Sequence, residues 1–378
     1  MTRPPSAPRS RRWGLAAAWT LGTVAVLGTL ATSLSRVMEA GARPALLPPK
    51  EPSLLLGPPD RRVALGDAGA SRIDTLESIL SVTDAVELDT AWAVLDARAH
   101  RIHVVPDRPG APVLHVGREG DGPGEMRDPA YLAVSGKQMA ALERRGDRLV
   151  RFDRNGEVLG PVSLGHPTCG FGPAQSLAGD PSGGFLALRT CIGADRRSRA
   201  LLLRVAPDGR VEVLANQPLQ SLVNDEVDPF AVPVAAVLGG ARYLGVLAEG
   251  CLVRLDPDPG TGAPGSVCTP EDERVALPDS VRQRYEALAG KMARAGGRLA
   301  IPRWLPPFGR VRTSPAGVVL SVPLSGGGGA LDLVDPRGRR TRFVPEADGV
   351  AVFIGRRHVL VGRDLMKGAE LVWTPLDG

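Results

Sequence analysis

The sequence predicts an all-β fold: a six-bladed β-propeller with an inserted helix, preceded by an N-terminal transmembrane helix. Three observations support this prediction. A strand that ends in a turn recurs six times, 23 consecutive residues near the N-terminus carry no charge, and 46 Gly and 35 Pro residues interrupt the chain at short intervals. Short apolar strands separated by frequent turns are typical of all-β architectures.

The N-terminal segment is long enough to cross a membrane. Residues 13–35 are uncharged and follow four arginines within residues 1–12. About 20 apolar residues span the hydrocarbon core as a helix, and flanking arginines hold their end in the cytoplasm. We predict a cytoplasmic N-terminus (1–12), a transmembrane anchor or uncleaved signal (13–35), a Pro-rich spacer (36–51) and an extracytoplasmic remainder. Cleavage after Ala42 would instead give a secreted protein, and the paired arginines also fit a twin-arginine export signal.

The recurring turns mark sheet units of similar length. Each turn contains an aspartate: Asp107, Asp153, Asp208, Asp256, Asp335 and Asp377. The intervals between these aspartates are 46, 55, 48, 79 and 42 residues. Because a four-stranded propeller blade takes about 40–50 residues, residues 52–378 are predicted to form six blades. The long interval contains residues 271–296, where apolar residues recur every three or four positions and predict an inserted helix.

The last turn leaves the sixth blade one strand short. Residues 54–56 are similar to the strand that follows the first turn. We therefore predict that residues 54–56 pair antiparallel with residues 371–374. Closure of this kind joins the first and last blades and removes an exposed sheet edge.

A glycine-rich motif resembles a known propeller family. The sequence GREGDGPGEMRDPAYLAV at residues 117–134, followed by RGDRLVRFDRNGEVL at residues 145–159, is similar to the loop and aliphatic strand of the NHL-like six-bladed propellers of bacteria. Met126 stands where that family usually has Phe. The resemblance implies the fold but no particular activity, because propellers serve many unrelated functions.

The four cysteines are predicted to form two local disulfide bonds. Cys169, Cys191, Cys251 and Cys268 are separated by 22, 60 and 17 residues, which excludes a C-x-x-C metal or redox motif. Pairing Cys169 with Cys191 and Cys251 with Cys268 keeps each bond within one repeat. Free buried thiols are the alternative, and export to an oxidising compartment favours the disulfides.

The charge distribution argues against a nucleic-acid partner. The net charge is +5, and residues 1–42 account for +4 of it. Binding to phosphates depends on clustered cations, and the remaining, nearly neutral chain has no run of Lys or Arg.

Few side chains in the sequence point to a binding site. Trp304 and Phe308 in the segment PRWLPPFG are candidates for an exposed apolar binding surface, with burial in the core as the alternative. Asn224 and Asp228 belong to the most acidic loop, which is a candidate calcium-binding rim or simply a solvated loop. No other cofactor is expected.

The histidines do not suggest a metal site. His100 and His103 are three residues apart on a predicted strand, so their side chains point to opposite faces. His115, His166 and His358 are isolated in the sequence.

Two classes of function remain. The first is a non-enzymatic binding or scaffold propeller, tethered to the membrane, whose partner is a protein, a peptide or a small ligand. The alternative is a metal-dependent hydrolase or lyase, similar to lactonases, with its site in the central channel. The enzyme requires at least three carboxylate, amide or imidazole side chains around that channel.

Overall fold

The structure is a computed structural model of the 378-residue chain. It describes residues 53–55, 59–65, 70–167, 169–170, 172–193, 198–219, 222–223, 226–256, 264–270, 273–294, 296–324, 329–345, 351–365 and 368–376. The predicted cytoplasmic N-terminus, membrane anchor and spacer lie outside these residues. Within them, no helix has the length and apolar character needed to cross a membrane.

The chain divides into two compact units. One consists of Met1–Pro44, Ser221–Pro229 and Leu277–Pro302, and the other of Ala45–Gln220, Phe230–Ala276 and Arg303–Gly378. The second unit contains all the strands of the propeller.

The second unit begins with three strands and continues with the first three blades. The N-terminal strands are β1 (Ser53–Leu55), β2 (Arg61–Leu65) and β3 (Arg72–Leu76). Blade 1 consists of β4 (Asp84–Glu87), β5 (Ala91–Asp96), β6 (Arg101–Pro106) and β7 (Leu114–Val116). A small parallel pair, β8 (Arg118–Glu119) and β9 (Glu125–Met126), leads to blade 2: β10 (Pro129–Ser135), β11 (Gln138–Glu143), β12 (Arg148–Asp153) and β13 (Val158–Ser163). Blade 3 consists of β14 (Ala174–Gly179), β15 (Phe185–Ile192), β16 (Ser198–Val205) and β17 (Val211–Pro218).

The first unit supplies a hairpin and a helix, and the other blades follow in the second unit. The hairpin is β18 (Leu222–Val223) with β19 (Glu226–Val227), and the helix is α1 (Asp279–Arg294). Blade 4 consists of β20 (Pro233–Leu238), β21 (Ala241–Val246), β22 (Cys251–Arg254) and β23 (Ser266–Cys268), with a 3-10 turn at Leu247–Glu249. Blade 5 consists of β24 (Arg310–Ser314), β25 (Gly317–Pro323), β26 (Gly329–Val334) and β27 (Arg340–Pro345). Blade 6 consists of β28 (Ala351–Ile354), β29 (His358–Leu365) and β30 (Gly368–Pro375), together with β3.

Five of the recurring aspartates, Asp107, Asp153, Asp208, Asp256 and Asp335, lie where the third strand of a blade leads into the fourth, and Asp377 lies outside the described residues. In blade 2, the Asp153 carboxylate accepts hydrogen bonds from the backbone N–H of Asn155 and Glu157 at 2.9 and 2.7 Å. Gly156 in the same turn has a φ of +89°, a conformation that favours glycine. The Asp–Gly pattern therefore recurs because the carboxylate caps the turn while glycine supplies its left-handed residue.

Six apolar clusters lie between successive blades, and the last joins blade 6 to blade 1. Alternation along the strands produces this arrangement, because neighbouring side chains point to opposite faces of a sheet. In β5, for example, Trp92 and Val94 pack toward blade 6, whereas Ala93 and Leu95 pack toward blade 2. The prediction of an all-β six-bladed propeller with one helix is confirmed.

The ring is closed by a different N-terminal strand from the predicted one. β3 pairs antiparallel with β30, with Ile73 opposite Val372. The predicted strand is wrong: Leu54 and Leu55 pair parallel with Val267 and Cys268 as a fifth strand of blade 4, and β2 adds a parallel fifth strand to blade 5. β3 is better placed than β1 to complete blade 6, because only a short connection separates it from β4, the first strand of blade 1.

Both predicted disulfide bonds are present. Cys169 bonds to Cys191 in blade 3, with the Cα atoms 5.5 Å apart. Cys251 bonds to Cys268 across β22 and β23, with the Cα atoms 4.1 Å apart. Each bond stays within one blade, as the repeat predicted.

Candidate functional site

The innermost strands of the blades surround a central channel with a cavity at each end. We call the cavity where these strands begin the N-mouth, and the one where they end the C-mouth. The N-mouth has a volume of about 330 Å³ and is lined by Thr83, Ala130, Tyr131, Arg144, Gln175, Val232, Pro233, Val234, Leu247, Gly309, Arg310 and Val311. The C-mouth has a volume of about 390 Å³, and its charged lining residues are Glu87, Asp89, Arg154, Arg356 and Arg357.

Arginine and tyrosine side chains face each other in the N-mouth. The exposed Arg310 places its guanidinium 5.3 Å from the centre of the Tyr131 ring. The Tyr131 hydroxyl donates a hydrogen bond to the carbonyl of Ala174 at 3.4 Å. Burial raises the pKa of Tyr131. The phenol therefore stays protonated near neutral pH and can donate a hydrogen bond.

A second arginine of β24 lies deeper in the channel. Alternation along the strand puts Arg312 on the same face as Arg310. Its guanidinium lies 3.5 Å from the Asp84 carboxylate and 4.7 Å from the centre of the Phe353 ring. The side chain remains 24% exposed, and its Nε has no hydrogen-bond partner among the described residues.

The charge of Arg312 is only partly compensated. The Asp84 carboxylate also accepts hydrogen bonds from the backbone N–H of Ala85 at 3.1 Å and of Leu132 at 2.9 Å, so it is shared among three donors. Burial lowers the pKa of Arg312, and the charge of Asp84 offsets this only in part. With Arg310 nearby, two guanidinium groups and one carboxylate lie at this end of the channel.

Charges in the C-mouth are better matched. The buried Glu87 carboxylate lies 3.3 Å from Nε of Arg357 and accepts a hydrogen bond from the Arg357 backbone N–H at 3.0 Å. Arg154 pairs with Asp89 at 2.5 Å. These pairs hold the turns at this face together. The incompletely paired Arg312 follows Arg310 and Val311 of the N-mouth on β24, and it is not itself a lining residue of either cavity.

A calcium site would need several oxygen ligands close together. Ca²⁺ takes six to eight oxygen ligands, mostly from carboxylates and carbonyls. In the part of the chain that the structure describes, no three His, Cys, Asp or Glu side chains come close enough together to hold a metal. Asp84 lies 3.5 Å from the Arg312 guanidinium, and Arg310 is close to Arg312, so this environment favours anions over cations.

The structure does not bring the predicted aromatic pair together on one exposed surface. Trp304 is 39% exposed, and the Arg303 guanidinium lies 5.4 Å from its ring. Phe308 is 1% exposed and packs in the cluster between blades 4 and 5. Its ring therefore contacts protein, which is the alternative that the sequence left open.

The predicted acidic rim belongs to the first unit. Asn224 lies outside the described residues, and Asp228 is half-buried after the β18–β19 hairpin. Burial and the charge of Asp228 raise the pKa of Tyr285 in the same unit. Asp228 is therefore close to the hydroxyl end of Tyr285 in helix α1.

Sequence reasoning missed the channel residues because their polar character is local. Arg310 and Arg312 alternate with apolar Val311 in an innermost strand, whereas Asp84 and Tyr131 come from two other blades. The one sequence signal was a pair of arginines two residues apart, the spacing that puts both side chains on one face of a strand. The interpretation of His115 as isolated was wrong, since it faces His103 across blade 1.

Comparisons with known proteins support the fold. No family model and no curated protein matches the chain. A protein of Bacteroides fragilis described as exported has a similar structure, with a TM-score of 0.51 and 10% identity over 85% of this chain and 99% of that one. Two other solved structures match with TM-scores of 0.43: one described as a gluconolactonase, 14% identical over 81% of this chain and 93% of its own, and regucalcin, a calcium-binding protein of Agrobacterium tumefaciens, 13% identical over 83% and 95%.

Proposed function

We propose that this propeller is a non-enzymatic binding protein whose N-mouth takes a small organic anion bearing a carboxylate. The observation that carries the proposal is Arg312. It is a cation deep in the channel, it reaches solvent, its Nε is unpaired among the described residues, and its nearest carboxylate is shared with backbone amides.

The lining of the N-mouth fits such a ligand. A guanidinium binds a carboxylate with two parallel hydrogen bonds, and it binds more strongly where water is excluded. Arg310 adds donors at the rim of the cavity, where its guanidinium lies 5.3 Å from the centre of the Tyr131 ring. An apolar wall, formed by Val232, Pro233, Val234 and Leu247, can hold the carbon skeleton of the ligand.

The location we propose is outside the cytoplasm, with residues 13–35 anchoring the propeller to the membrane. Two disulfide bonds support an oxidising compartment. Protease treatment of intact spheroplasts should degrade the propeller, and its protection there would contradict this location.

The lactonase-like alternative needs a metal. An experiment can distinguish this alternative from the anion-binding proposal, because a metal-dependent site loses its ligand or its activity when the metal is chelated.

Calorimetric titration of the full-length protein in detergent tests the anion site. The probes are acetate, succinate, citrate, gluconate and inorganic phosphate. At least one carboxylate should bind, and Arg310→Gln and Arg312→Gln should each weaken that binding tenfold or more because each removes a guanidinium. Arg337→Gln, in an exposed turn of blade 5, is the matched control and should bind as the unaltered protein does.

Two outcomes would contradict the proposal. One is that none of the five anions binds, and the other is that Arg310→Gln, which changes an exposed side chain and should fold, retains full affinity. If binding disappears after treatment with EDTA, the metal-dependent alternative gains the support instead.

A further inference from the structure

Two histidines of blade 1 meet across neighbouring strands. His103 on β6 is directly opposite His115 on β7. Their Nδ1 atoms are 2.8 Å apart, and the rings meet edge to face, with centroids 4.9 Å apart. His103 is fully buried and His115 is exposed, so the pair lies at the boundary between the core and the surface.

A buried carboxylate stands behind His103. Nε2 of His103 lies 3.7 Å from Oδ2 of Asp96, and both side chains are inaccessible to solvent. The Asp96 carboxylate also accepts hydrogen bonds from the backbone N–H of Arg98 and Ala99 at 3.0 and 2.9 Å. At 3.7 Å, Nε2 of His103 is too far from Asp96 for a hydrogen bond, and it has no other hydrogen-bond partner among the described residues. A carboxylate behind an imidazole is the arrangement that orients metal-binding histidines.

Both Nδ1 atoms are suited to coordination. A hydrogen bond between two Nδ1 atoms 2.8 Å apart holds one proton between them, and a metal ion can replace that proton. The positive charge of Arg101 opposes a cation here, and the negative charge of Asp96 offsets it.

The separation of the nitrogens indicates which metal geometry fits. With metal–nitrogen bonds of about 2.0 Å, two ligands at right angles are about 2.8 Å apart, and tetrahedral ligands are about 3.3 Å apart. The observed 2.8 Å therefore matches neighbouring positions of a tetragonal ion. Tetragonal coordination by nitrogen and oxygen is typical of Cu²⁺ and Ni²⁺, and Cu²⁺ stands highest in the affinity order of divalent ions.

We propose that His103 and His115 bind one Cu²⁺ through their Nδ1 atoms, with Asp96 orienting the His103 ring. Water fills the remaining positions on the exposed side, and the shared Nδ1 proton is released to solvent. His100 does not take part, because its Nδ1 lies 2.9 Å from the carbonyl oxygen of Met126.

Copper titration of the full-length protein, purified without a histidine tag, tests this site. One Cu²⁺ should bind per chain, more tightly than Zn²⁺, and electron paramagnetic resonance should show coupling to two imidazole nitrogens. His115→Ala should weaken binding tenfold or more. His166→Ala, which removes a histidine of the second unit outside blade 1, is the matched control. Asp96→Asn should keep the nitrogen coupling but lower the affinity, as expected for a positioning residue.

The pH dependence has a definite sign. Because the ring nitrogens must be unprotonated to bind, affinity should fall as the pH is lowered from 7.5 to 5.5. The proposal is overturned if Cu²⁺ does not bind, if the spectrum lacks nitrogen coupling, or if His115→Ala binds as the unaltered protein does. His115 is exposed, so its replacement should leave the fold intact, and circular dichroism checks this.

Discussion

Glu143 holds the glycine-rich loop of blade 2 through two arginines. The carboxylate is 1% exposed and lies 2.6 Å from Arg127 and 3.0 Å from Arg148. Arg148 in turn donates hydrogen bonds to the carbonyls of Asp121 and Gly122 at 2.9 and 2.8 Å. The loop that carries the family resemblance is thus closed by a buried ion cluster within the protein.

Replacing Glu143 should therefore destabilise the protein. Glu143→Ala leaves Arg148 buried without its carboxylate, and removing one partner of a buried pair costs about 3–5 kcal/mol. Urea unfolding followed by tryptophan fluorescence measures the loss. The exposed Glu157 is the matched control, and Glu157→Ala should change the free energy of unfolding by less than about 0.5 kcal/mol. Equal effects of the two substitutions would argue against the cluster.

Single residues were the hardest features to predict from the sequence. Trp304 and Phe308 look alike as aromatic candidates, yet one is exposed and the other is buried between two blades. His103 and His115 are 12 residues apart and meet only because β6 and β7 pair in that register. Which side chains meet depends on strand register, and a shift of one residue moves every side chain to the other face.

Short strands in blade 4 depend on a covalent bond. Its outermost propeller strand, β23, has three residues, and the Cys251–Cys268 bond ties it to β22 at a directly opposite pair. Three residues contribute few hydrogen bonds to hold a strand on a sheet. The Cys251–Cys268 bond therefore holds β23 on the sheet, and β1 pairs with the other edge of β23.

Removing this bond should lower stability measurably. The double variant Cys251→Ser with Cys268→Ser opens a 17-residue loop, and a loop of about 15 residues contributes about 3 kcal/mol in the chain-entropy model. Thermal unfolding by circular dichroism, compared with Ser163→Ala on the exposed outer strand of blade 2, is the measurement. An unchanged midpoint in the double variant would show that strand pairing alone holds β23.

Closure of the ring depends on β3 and on one arginine. The guanidinium of Arg72 donates hydrogen bonds to the carbonyls of Pro106 and Asp107 in blade 1, at 2.8 and 2.7 Å. The same guanidinium lies 4.3 Å from the centre of the Trp373 ring in blade 6. β3 thus completes blade 6 and also connects it to blade 1.

Loss of β3 should destabilise the whole propeller. Five residues of β3 pair with β30, and at about 1 kcal/mol for each hydrogen bond their removal costs several kcal/mol and exposes the edge of β30. Chains comprising residues 70–378 and 78–378 should both be made. We expect the longer chain to unfold in one cooperative transition and the shorter one to aggregate or to unfold at a much lower temperature. Equal midpoints would contradict closure by β3.

The sequence was enough to predict the number of blades, the turn positions, the inserted helix and both disulfide pairs, because these depend on patterns that are local along the chain. Alternation specifies a strand, and an aspartate with a glycine specifies a turn. Tertiary structure decided which strand closes the ring, that Phe308 is buried, and that Arg312 meets Asp84 and His103 meets His115. These outcomes depend on contacts between segments that are distant in the sequence. The N-terminal strands β1, β2 and β3 are all short, and which of them pairs with β30 is decided only when the whole ring assembles.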